Sequence, residues 1–181
     1  STDVARIDGE PELKYITEID GIEFHNPTLA IETVAAGGGS ICWFDGFTLQ
    51  VGPESAGASP GPACYGAGGP LTITDVNLLL GKLDSTKFSI PITPNRAMEA
   101  LEKLQSDITR LTGNTLTTSE ILTGLERIAN EKMADAIRKI SVEKGINPEE
   151  YMLITFGGAG GLHSCQLADL LDIKNVLVPY D

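Results

Sequence analysis

The sequence predicts an α/β fold with a mixed sheet, in which β-hairpins occupy the first half of the chain and helices the second. Residues 1–51 contain short apolar, β-branched segments separated by turn residues, which is typical of strands. Residues 94–145 instead carry apolar side chains at helical spacing. Residues 151–178 read as a strand, a glycine-rich turn, a helix and a second strand, which predicts a parallel crossover unit.

Five strands are predicted in the first half of the chain. They cover residues 4–8, 13–20, 28–36, 40–44 and 48–51. The first two flank a Gly-Glu-Pro segment and are expected to form a hairpin, and the next two, interrupted by three glycines, are expected to form a second pair. Asp45-Gly46 then turns the chain into the fifth strand, as Asp-Gly pairs do in tight hairpins.

Residues 52–70 are rich in glycine and proline and carry few side chains large enough to fill a core. A flexible linker would be dominated by Gly and Ser without an aromatic anchor. Cys64 and Tyr65 are instead typical of protein interiors. We therefore favour an ordered functional loop over a linker.

Two amphipathic helices are predicted next. Thr93 and Pro94 form a helix start, and the first helix is expected over residues 94–112, where Gly113 ends it. Thr117 and Glu120 have capping-box spacing and begin a second helix that continues to Gly145. Both apolar stripes are expected to face the core, with Ala97, Met98, Leu101, Leu104, Ile108 and Leu111 on the first and Ile121, Leu125, Ile128, Ala129, Ala136, Ile137 and Ile140 on the second.

The last 31 residues carry the parallel unit. Residues 151–156 are a continuous apolar run between turn residues, which predicts a strand covered on both faces. The glycine-rich turn at 157–161 leads into a helix over 162–172 and a strand over 175–178.

Composition excludes several classes of function. Thirteen Lys and Arg against 25 Asp and Glu give a net charge of −12, so no basic surface is available for nucleic acid. No apolar run approaches the roughly 20 residues that span a membrane. Three separated cysteines argue against a disulfide framework or a four-cysteine zinc site and favour a reducing cytoplasm, and two histidines cannot build a three-histidine metal site.

The turn at 157–161 has four glycines in five residues, and its composition favours ligand contact. Free N–H groups at a following helix start bind anions, phosphate above all. The lysine of a P-loop and the spacing of GxGxxG are both missing, so neither of those nucleotide folds is indicated. The alternative is tight packing of the turn. His163, in the first helical turn, either contacts a bound phosphate or nucleoside or is a satisfied helix-start histidine.

Two further segments carry candidate residues. Gly37, Gly38, Gly39 and Ser40 lie between strands, so a β-bulge or a close backbone crossing explains them as well as a bound anion does. Asp75 precedes an apolar, helix-like segment. Either Thr74 or Asp75 itself is an N-cap residue, or Asp75 is a catalytic or metal-binding carboxylate.

Three blocks together resemble one family. They are AAGGGSI (residues 35–41), VGPESAGASPGPACYGAGGPLTITDVNLLLGKL (residues 51–83) and FGGAGGLHSCQLADLL (residues 156–171). In this order they resemble the hydantoinase A and 5-oxoprolinase family, and nearly the whole chain is covered. The family belongs to the superfamily of actin, sugar kinases and heat-shock ATPases, so the resemblance implies a ribonuclease-H-like half-domain.

The resemblance also implies roles for individual residues. The segment from Ser1 to Val4 resembles the tail of a second phosphate loop, so the chain is expected to be the second half of a hydantoinase A-type domain, a single domain over residues 1–181 truncated at its N-terminus. Asp3 is the expected Mg²⁺ ligand, Asp3 and Asp75 are the expected catalytic residues, and Cys64 and Tyr65 lie on the substrate side. Expected nucleotide contacts are Thr2, Gly37, Gly38, Gly39, Ser40, Gly157, Gly158, Ala159, Gly160 and His163. Gly161 stands where the family has a proline.

The implied activity is ATP-dependent opening of a cyclic amide such as 5-oxoproline or a hydantoin, with Mg²⁺ and a phosphorylated intermediate. A subunit of an ATP-dependent ketone carboxylase is the alternative within the family, and a non-catalytic actin-like interaction module is the alternative outside it. A hydantoinase B-type subunit or fused domain is the expected partner, in an oligomer, with neither nucleic acid nor membrane.

Overall fold

The computed structural model describes residues 1–19 and 21–179, and there it is a mixed α/β structure with small sheets and helices. The strands of this part of the chain are β1 (Thr2–Ala5), β2 (Ile7–Asp8), β3 (Glu10–Pro11), β4 (Leu13–Lys14), β5 (Thr17–Ile19), β6 (Ile22–Phe24), β7 (Thr28–Leu29), β8 (Ile31–Val34), β9 (Ser40–Phe44), β10 (Leu49–Ser55), β11 (Met152–Ile154) and β12 (Asn175–Leu177). The α-helices are α1 (Ile73–Leu79), α2 (Pro94–Thr112), α3 (Thr118–Ile140) and α4 (Ser164–Leu170). The predicted order, with hairpins first and helices second, is confirmed.

The described strands pair two by two instead of forming one mixed sheet. The predicted hairpin between residues 4–8 and 13–20 is wrong: the chain turns at Gly9, but β2 pairs there with β3, within the segment expected to be the turn, and β1 pairs with β8. The predicted strand over residues 13–20 is divided into β4 and β5, which pair with β7 and β6. Asp20, with which that prediction ended, lies outside the described residues.

The predicted pairing of residues 28–36 with 40–44 is wrong. β8 pairs antiparallel with β1, and β9 pairs with β10. The three glycines between β8 and β9 lie close to Ser1, Thr74 and Ser55, which belong to neither of these two strands. The Asp45-Gly46 hairpin is confirmed, because the Asp45 carboxylate accepts hydrogen bonds from the N–H groups of Phe47 at 2.8 Å and Thr48 at 2.7 Å.

Both long helices begin where the sequence predicts. α2 has the predicted ends, and Gly113 closes it with φ +73°. Two members of its predicted stripe, Met98 and Leu111, are 38% and 55% exposed, so they lie outside the core. α3 begins with the predicted capping box but ends at Ile140, before a short 3-10 helix, Val142–Lys144.

The hydrophobic core lies where α1, α2 and α3 pack together against β9 and β10. α3 is central, since it also contacts α4, β1 and β8. The largest fully buried apolar side chains are Ile73, Val76, Leu101, Ile108, Ile121, Leu125, Met133 and Val51. This core fixes α1, whose side chains recur at the candidate site.

The final unit is a parallel pair with a short helix between its strands. β11 and β12 run parallel, as predicted, with Leu153 opposite Val176. The expected burial of β11 on both faces is wrong, because Met152 is 52% and Ile154 51% exposed. The predicted helix is shorter than expected and is preceded by a 3-10 helix, Gly160–Leu162. None of the helices described here is long and apolar enough to cross a bilayer.

Candidate functional site

Three segments that are distant in sequence meet at one place. The Thr2 hydroxyl donates a hydrogen bond to the Ala36 carbonyl at 2.7 Å. A Cβ added to Gly37 would lie 3.0 Å from backbone atoms of Ser1, and one added to Gly38 would lie 3.4 Å from the Cβ of Ala159. We call residues 1–2, 37–39 and 157–161 the glycine cluster. Most of the predicted nucleotide-contact residues lie in it.

The glycines at 37–39 are required by close approaches within the chain. A Cβ on Gly38 would come within 2.9 Å of Thr74 Oγ1, and one on Gly39 within 2.8 Å of Ser55 Oγ. The Gly38 carbonyl accepts hydrogen bonds from the N–H of Thr74 at 2.8 Å and from its hydroxyl at 3.0 Å. The alternative of a close backbone crossing is therefore confirmed. Ser40 is buried, and its hydroxyl accepts from the N–H of Gly37 at 3.0 Å.

The glycines of the turn at 157–161 differ from those at 37–39 in the reasons for their presence. Gly157 has φ +91°, which explains its glycine by conformation alone. At Gly158 and Gly161 a Cβ would meet no heavy atom of the described residues within 4 Å, and neither glycine has a left-handed φ. Neither reason that normally demands glycine therefore applies at these two positions. Their backbone is left open to an approaching molecule.

Asp75 is buried and fully engaged. Its carboxylate accepts from the N–H groups of Ala63 at 3.1 Å, Cys64 at 2.8 Å and Thr72 at 2.8 Å, and from the Thr72 hydroxyl at 2.9 Å. The N-cap of α1 is Thr72, so the prediction of Thr74 or Asp75 as N-cap is wrong. The contacts give Asp75 a structural role, and they offer no support for its predicted catalytic role.

The loop at 52–70 is ordered, as predicted, and includes a 3-10 helix, Ala63–Tyr65. The Cys64 side chain is inaccessible to solvent, and burial raises the pKa of its thiol to about 12, with Asp75 adding to the effect. A thiol in this state is neither a nucleophile nor a metal ligand at neutral pH. Tyr65 is half-buried against Gly61. Both residues therefore shape the loop.

His163 lies beneath the turn. Its ring is fully buried, its Nδ1–H donates to Asn130 Oδ1 at 2.7 Å, and its Nε2 accepts from Asn77 Nδ2 at 3.1 Å. Burial lowers the pKa of the imidazole, and Lys82 lowers it further against an opposing effect of Glu126. The ring is therefore neutral at pH 7. The alternative of a satisfied helix-start histidine is confirmed, and a buried ring cannot contact a nucleotide directly.

Asp3 is exposed on β1, opposite Thr33 of β8, whose hydroxyl donates to its Oδ1 at 2.7 Å. In the part of the chain that the structure describes, no three His, Cys, Asp or Glu side chains are grouped to hold a metal ion. Mg²⁺ takes few protein ligands and keeps several waters, so one exposed carboxylate fits a water-mediated contact.

Sequence reasoning missed the residues that join these parts. Thr72 and Asp75 have capping-box spacing, a signal that could have identified Thr72 as the N-cap. Asn77 and Asn130 carry no sequence signal, and Thr74, a predicted N-cap candidate, instead contacts Gly38. Their roles follow from tertiary contacts alone.

The same fold occurs in large ATP-dependent enzymes. The structure of ATP-dependent caprolactamase from Pseudomonas jessenii matches with a TM-score of 0.76 at 39% identity, over 87% of this chain and 23% of that one. A nucleotide-free acetone carboxylase structure matches with a TM-score of 0.79 at 25% identity, over 94% of this chain and 24% of that one. The fold is thus that of one part of such enzymes.

Sequence comparison defines the family. The Hydantoinase/oxoprolinase family model matches residues 1–181. A 5-oxoprolinase of Pestalotiopsis fici is 44% identical over 98% of this chain and 14% of its own length. The caprolactamase subunit alpha of Pseudomonas jessenii is 42% identical over 84% of this chain and 22% of its own length. The chain belongs to the hydantoinase/oxoprolinase family, as its three blocks indicated, and spans a small part of these relatives.

Proposed function

We propose that this chain forms the nucleotide-binding part of an ATP-dependent hydrolase that opens a cyclic amide. One observation carries the proposal: Gly158 and Gly161 leave the backbone of the turn open, beside the crossing of residues 37–39. A ligand that needs close contact with backbone explains the glycine at position 158. The similarity to a 5-oxoprolinase and to an ATP-dependent caprolactamase supports ATP as that ligand.

The proposed architecture is one half of an actin-like, ribonuclease-H-like ATPase, the second half of a hydantoinase A-type domain. Matches of 23% and 24% of the two solved enzymes' lengths support a part of a larger molecule. In this arrangement the turn at 157–160 faces the adenosine, and Thr2 with residues 37–40 borders the phosphates. A reducing compartment, which the three separated cysteines favour, is part of the proposal.

When bound, ATP would supply the phosphoryl group that activates the amide oxygen, so that water can open the ring. The chain's own residues would place the nucleotide for that transfer. Asp3 would hold Mg²⁺ through water, with its carboxylate fixed by the Thr33 hydroxyl. Cys64 and Tyr65 would shape the neighbouring loop toward the substrate side.

A partner subunit or fused domain of the hydantoinase B type is proposed as well. The caprolactamase relative is a subunit alpha, which supports a multi-subunit assembly. Apolar side chains of β11 and β12, Met152, Ile154 and Leu177, are half exposed and offer a surface for further parts of such an enzyme.

A ketone carboxylase is the second candidate. The acetone carboxylase structure covers 94% of this chain, more than the 87% covered by the caprolactamase structure. The two candidates share phosphoryl transfer and differ in the molecule that accepts the phosphoryl group. Identifying that acceptor therefore distinguishes between them.

The test measures ATP hydrolysis by the intact protein with 5-oxoproline, a hydantoin, caprolactam, or acetone with bicarbonate. We expect a cyclic amide to stimulate hydrolysis and to be opened in proportion to the ATP consumed. Stimulation by acetone and bicarbonate alone would favour the carboxylase. Failure to bind or hydrolyse ATP under any of these conditions would contradict both candidates.

Asp3→Asn tests the metal assignment in the same assay. Turnover should fall far more than nucleotide affinity, because the carboxylate acts on Mg²⁺ and not on the adenosine. Asp169→Asn, at an exposed aspartate of α4, is the matched control and should leave turnover unchanged. Unchanged turnover of Asp3→Asn would remove Asp3 from the site.

A further inference from the structure

A buried polar chain joins the end of the glycine turn to two helices. His163 follows the 3-10 helix Gly160–Leu162 and begins α4. Its ring lies between Asn77 of α1 and Asn130 of α3, which are 0% and 4% exposed. The two hydrogen bonds of 3.1 and 2.7 Å use both ring nitrogens. The turn is therefore tied to both helices through one side chain.

Packing alone does not explain this arrangement, because burying these polar side chains is energetically unfavourable. Three polar side chains have been moved out of water, and the Oδ1 atom of Asn77 has no hydrogen-bond partner in the described part of the chain. A buried acceptor without a partner costs about 1–3 kcal/mol. Apolar side chains of similar volume would fill the same space without that cost. What the polar chain adds is direction, because hydrogen bonds fix the orientation of the groups that they join.

Few hydrogen bonds of the turn reach other elements, although α4, which follows it, packs Leu167 and Ala168 into the core. The Leu162 N–H bonds to the Ala159 carbonyl at 3.1 Å, and the Ser164 hydroxyl bonds to the Gly161 carbonyl at 2.8 Å. Both bonds lie within the turn and its helix start, so they shape the turn without locating it. Ala159 packs beside Gly38, and His163 reaches the helices.

α1 connects both sides of the glycine cluster. Thr74 in its first turn holds the carbonyl of Gly38, and Asn77, one turn later, holds His163. The bond between Asn77 and His163 therefore links the open turn to the helix that holds residues 37–39.

We propose that His163 is a positioning residue for the nucleotide: through Asn77 it sets the distance between the glycine turn and residues 37–39, and so sets nucleotide affinity. The inference rests on the proposed function, since it names the residue that aligns that site. His163 acts through the backbone of the turn and does not touch the nucleotide.

Two matched variants of the intact protein separate the two hydrogen bonds. A glutamine amide can take the place of Nε2, so His163→Gln keeps the bond to Asn77. An asparagine amide can take the place of Nδ1, so His163→Asn keeps the bond to Asn130 and loses the one to Asn77. The probe is ADP with Mg²⁺, titrated by calorimetry, with thermal unfolding measured beside it.

We expect His163→Asn to raise the Kd for ADP at least tenfold and His163→Gln to raise it less than threefold, although both lower the unfolding temperature. A purely structural role predicts lower unfolding temperatures with equal affinities, and that result would overturn the inference. A loss of affinity in the glutamine variant alone would overturn it too, since positioning would then run through Asn130.

A pH profile gives an independent readout. Protonation would place an N–H on Nε2 against the amide nitrogen of Asn77, so the Asn77 amide would have to turn to keep the bond. Lys82 and Glu126 are the charged groups that influence the ring. Nucleotide affinity of the native protein should therefore fall in acid more steeply than that of His163→Gln, and parallel profiles would contradict the inference. If the native protein does not bind ADP at all, the proposed function fails. If it binds ADP and both variants bind equally well, only the role of His163 fails.

Discussion

A substitution at Gly158 can distinguish an effect on ligand binding from an effect on stability. A side chain there meets no described atom within 4 Å, and the backbone is not left-handed, so Gly158→Val should fold with an unchanged Tm. If the turn approaches the nucleoside, the valine intrudes on the ligand. The Michaelis constant for ATP in the intact protein should then rise at least about tenfold, equivalent to about 1.4 kcal/mol of binding.

Gly38→Ala is the matched contrast. Its Cβ would come within 2.9 Å of Thr74 Oγ1, so the variant should lose roughly 1–3 kcal/mol of stability, as overpacked sites do. A folded Gly158→Val protein with a native constant for ATP would leave the turn as a packing element and remove it from the nucleotide site.

The buried carboxylate of Asp75 accepts hydrogen bonds from other residues of the chain. Four donors point at its two oxygens, and Asp75→Asn would turn an NH₂ group toward some of them. The variant should lose about 3 kcal/mol of stability, measured by urea unfolding, because donors to a charged acceptor are left unsatisfied.

The exposed Asp107, paired with Arg110 on α2, serves as the control for Asp75. Asp107→Asn should cost at most about 0.5 kcal/mol, as exposed helix pairs do. A stable Asp75→Asn protein that lacks activity would reverse our assignment and restore the catalytic role.

At the scale of elements, the start of α3 is held by reciprocal hydrogen bonds. The N–H of Glu120 donates to Thr117 Oγ1 at 3.2 Å, and the N–H of Thr117 donates to the Glu120 carboxylate at 2.7 Å. Thr117→Ala should lower stability by about 1 kcal/mol, the usual loss for a helix cap, as read from the urea midpoint. Thr123→Ala, an exposed threonine further along the same helix, controls for helix propensity.

The capping box also sets a pH dependence. The bonds from Thr117 lower the pKa of Glu120 in the folded protein. The stabilisation is therefore complete above the ordinary glutamate pKa and is lost as the pH falls through the lowered value. Thr117→Ala keeps the backbone N–H and loses only the hydroxyl. It should therefore reduce that acid dependence without abolishing it, and an unchanged acid profile would show that the hydroxyl contributes nothing.

Both ends of α2 and the start of α3 could be predicted from the sequence because their signals are local. Pro94, Gly113 and the Thr117–Glu120 pair each act within one turn, and all three mark observed ends. Strand pairing could not be predicted in the same way. β1 pairs with β8, about 30 residues away, and nothing in either strand identifies its partner.

The prediction that the apolar run at residues 151–156 is buried on both faces was wrong for a different reason. An apolar strand indicates burial in the complete molecule, whereas Met152 and Ile154 are half exposed among the residues described here. The apolar pattern indicates that these side chains favour burial, but it does not identify the element that would cover them.

At the scale of the whole molecule, the candidate site depends on contacts between distant segments. The family blocks could be read from the sequence, and the structure brings Thr2, Gly38 and Ala159 into one cluster. The roles of the individual residues in and around that cluster could not be predicted from the sequence, because these roles depend on which side chains are buried. Asp75 and His163 have the residue types of catalytic groups, and burial with satisfied hydrogen bonds gives them structural surroundings.

The 181-residue chain should not complete a phosphoryl-transfer site when it is expressed by itself. Phosphoryl transfer depends on cations and donors that surround the transferred group from several sides. This chain carries a net charge of −12, lacks a P-loop lysine motif, and leaves the backbone at Gly158 and Gly161 open. It should therefore show no enzyme-like ATP turnover even with saturating Mg²⁺. A coupled assay on the purified chain decides the matter: turnover of about 1 per second or more would mean that these residues alone complete the catalytic site.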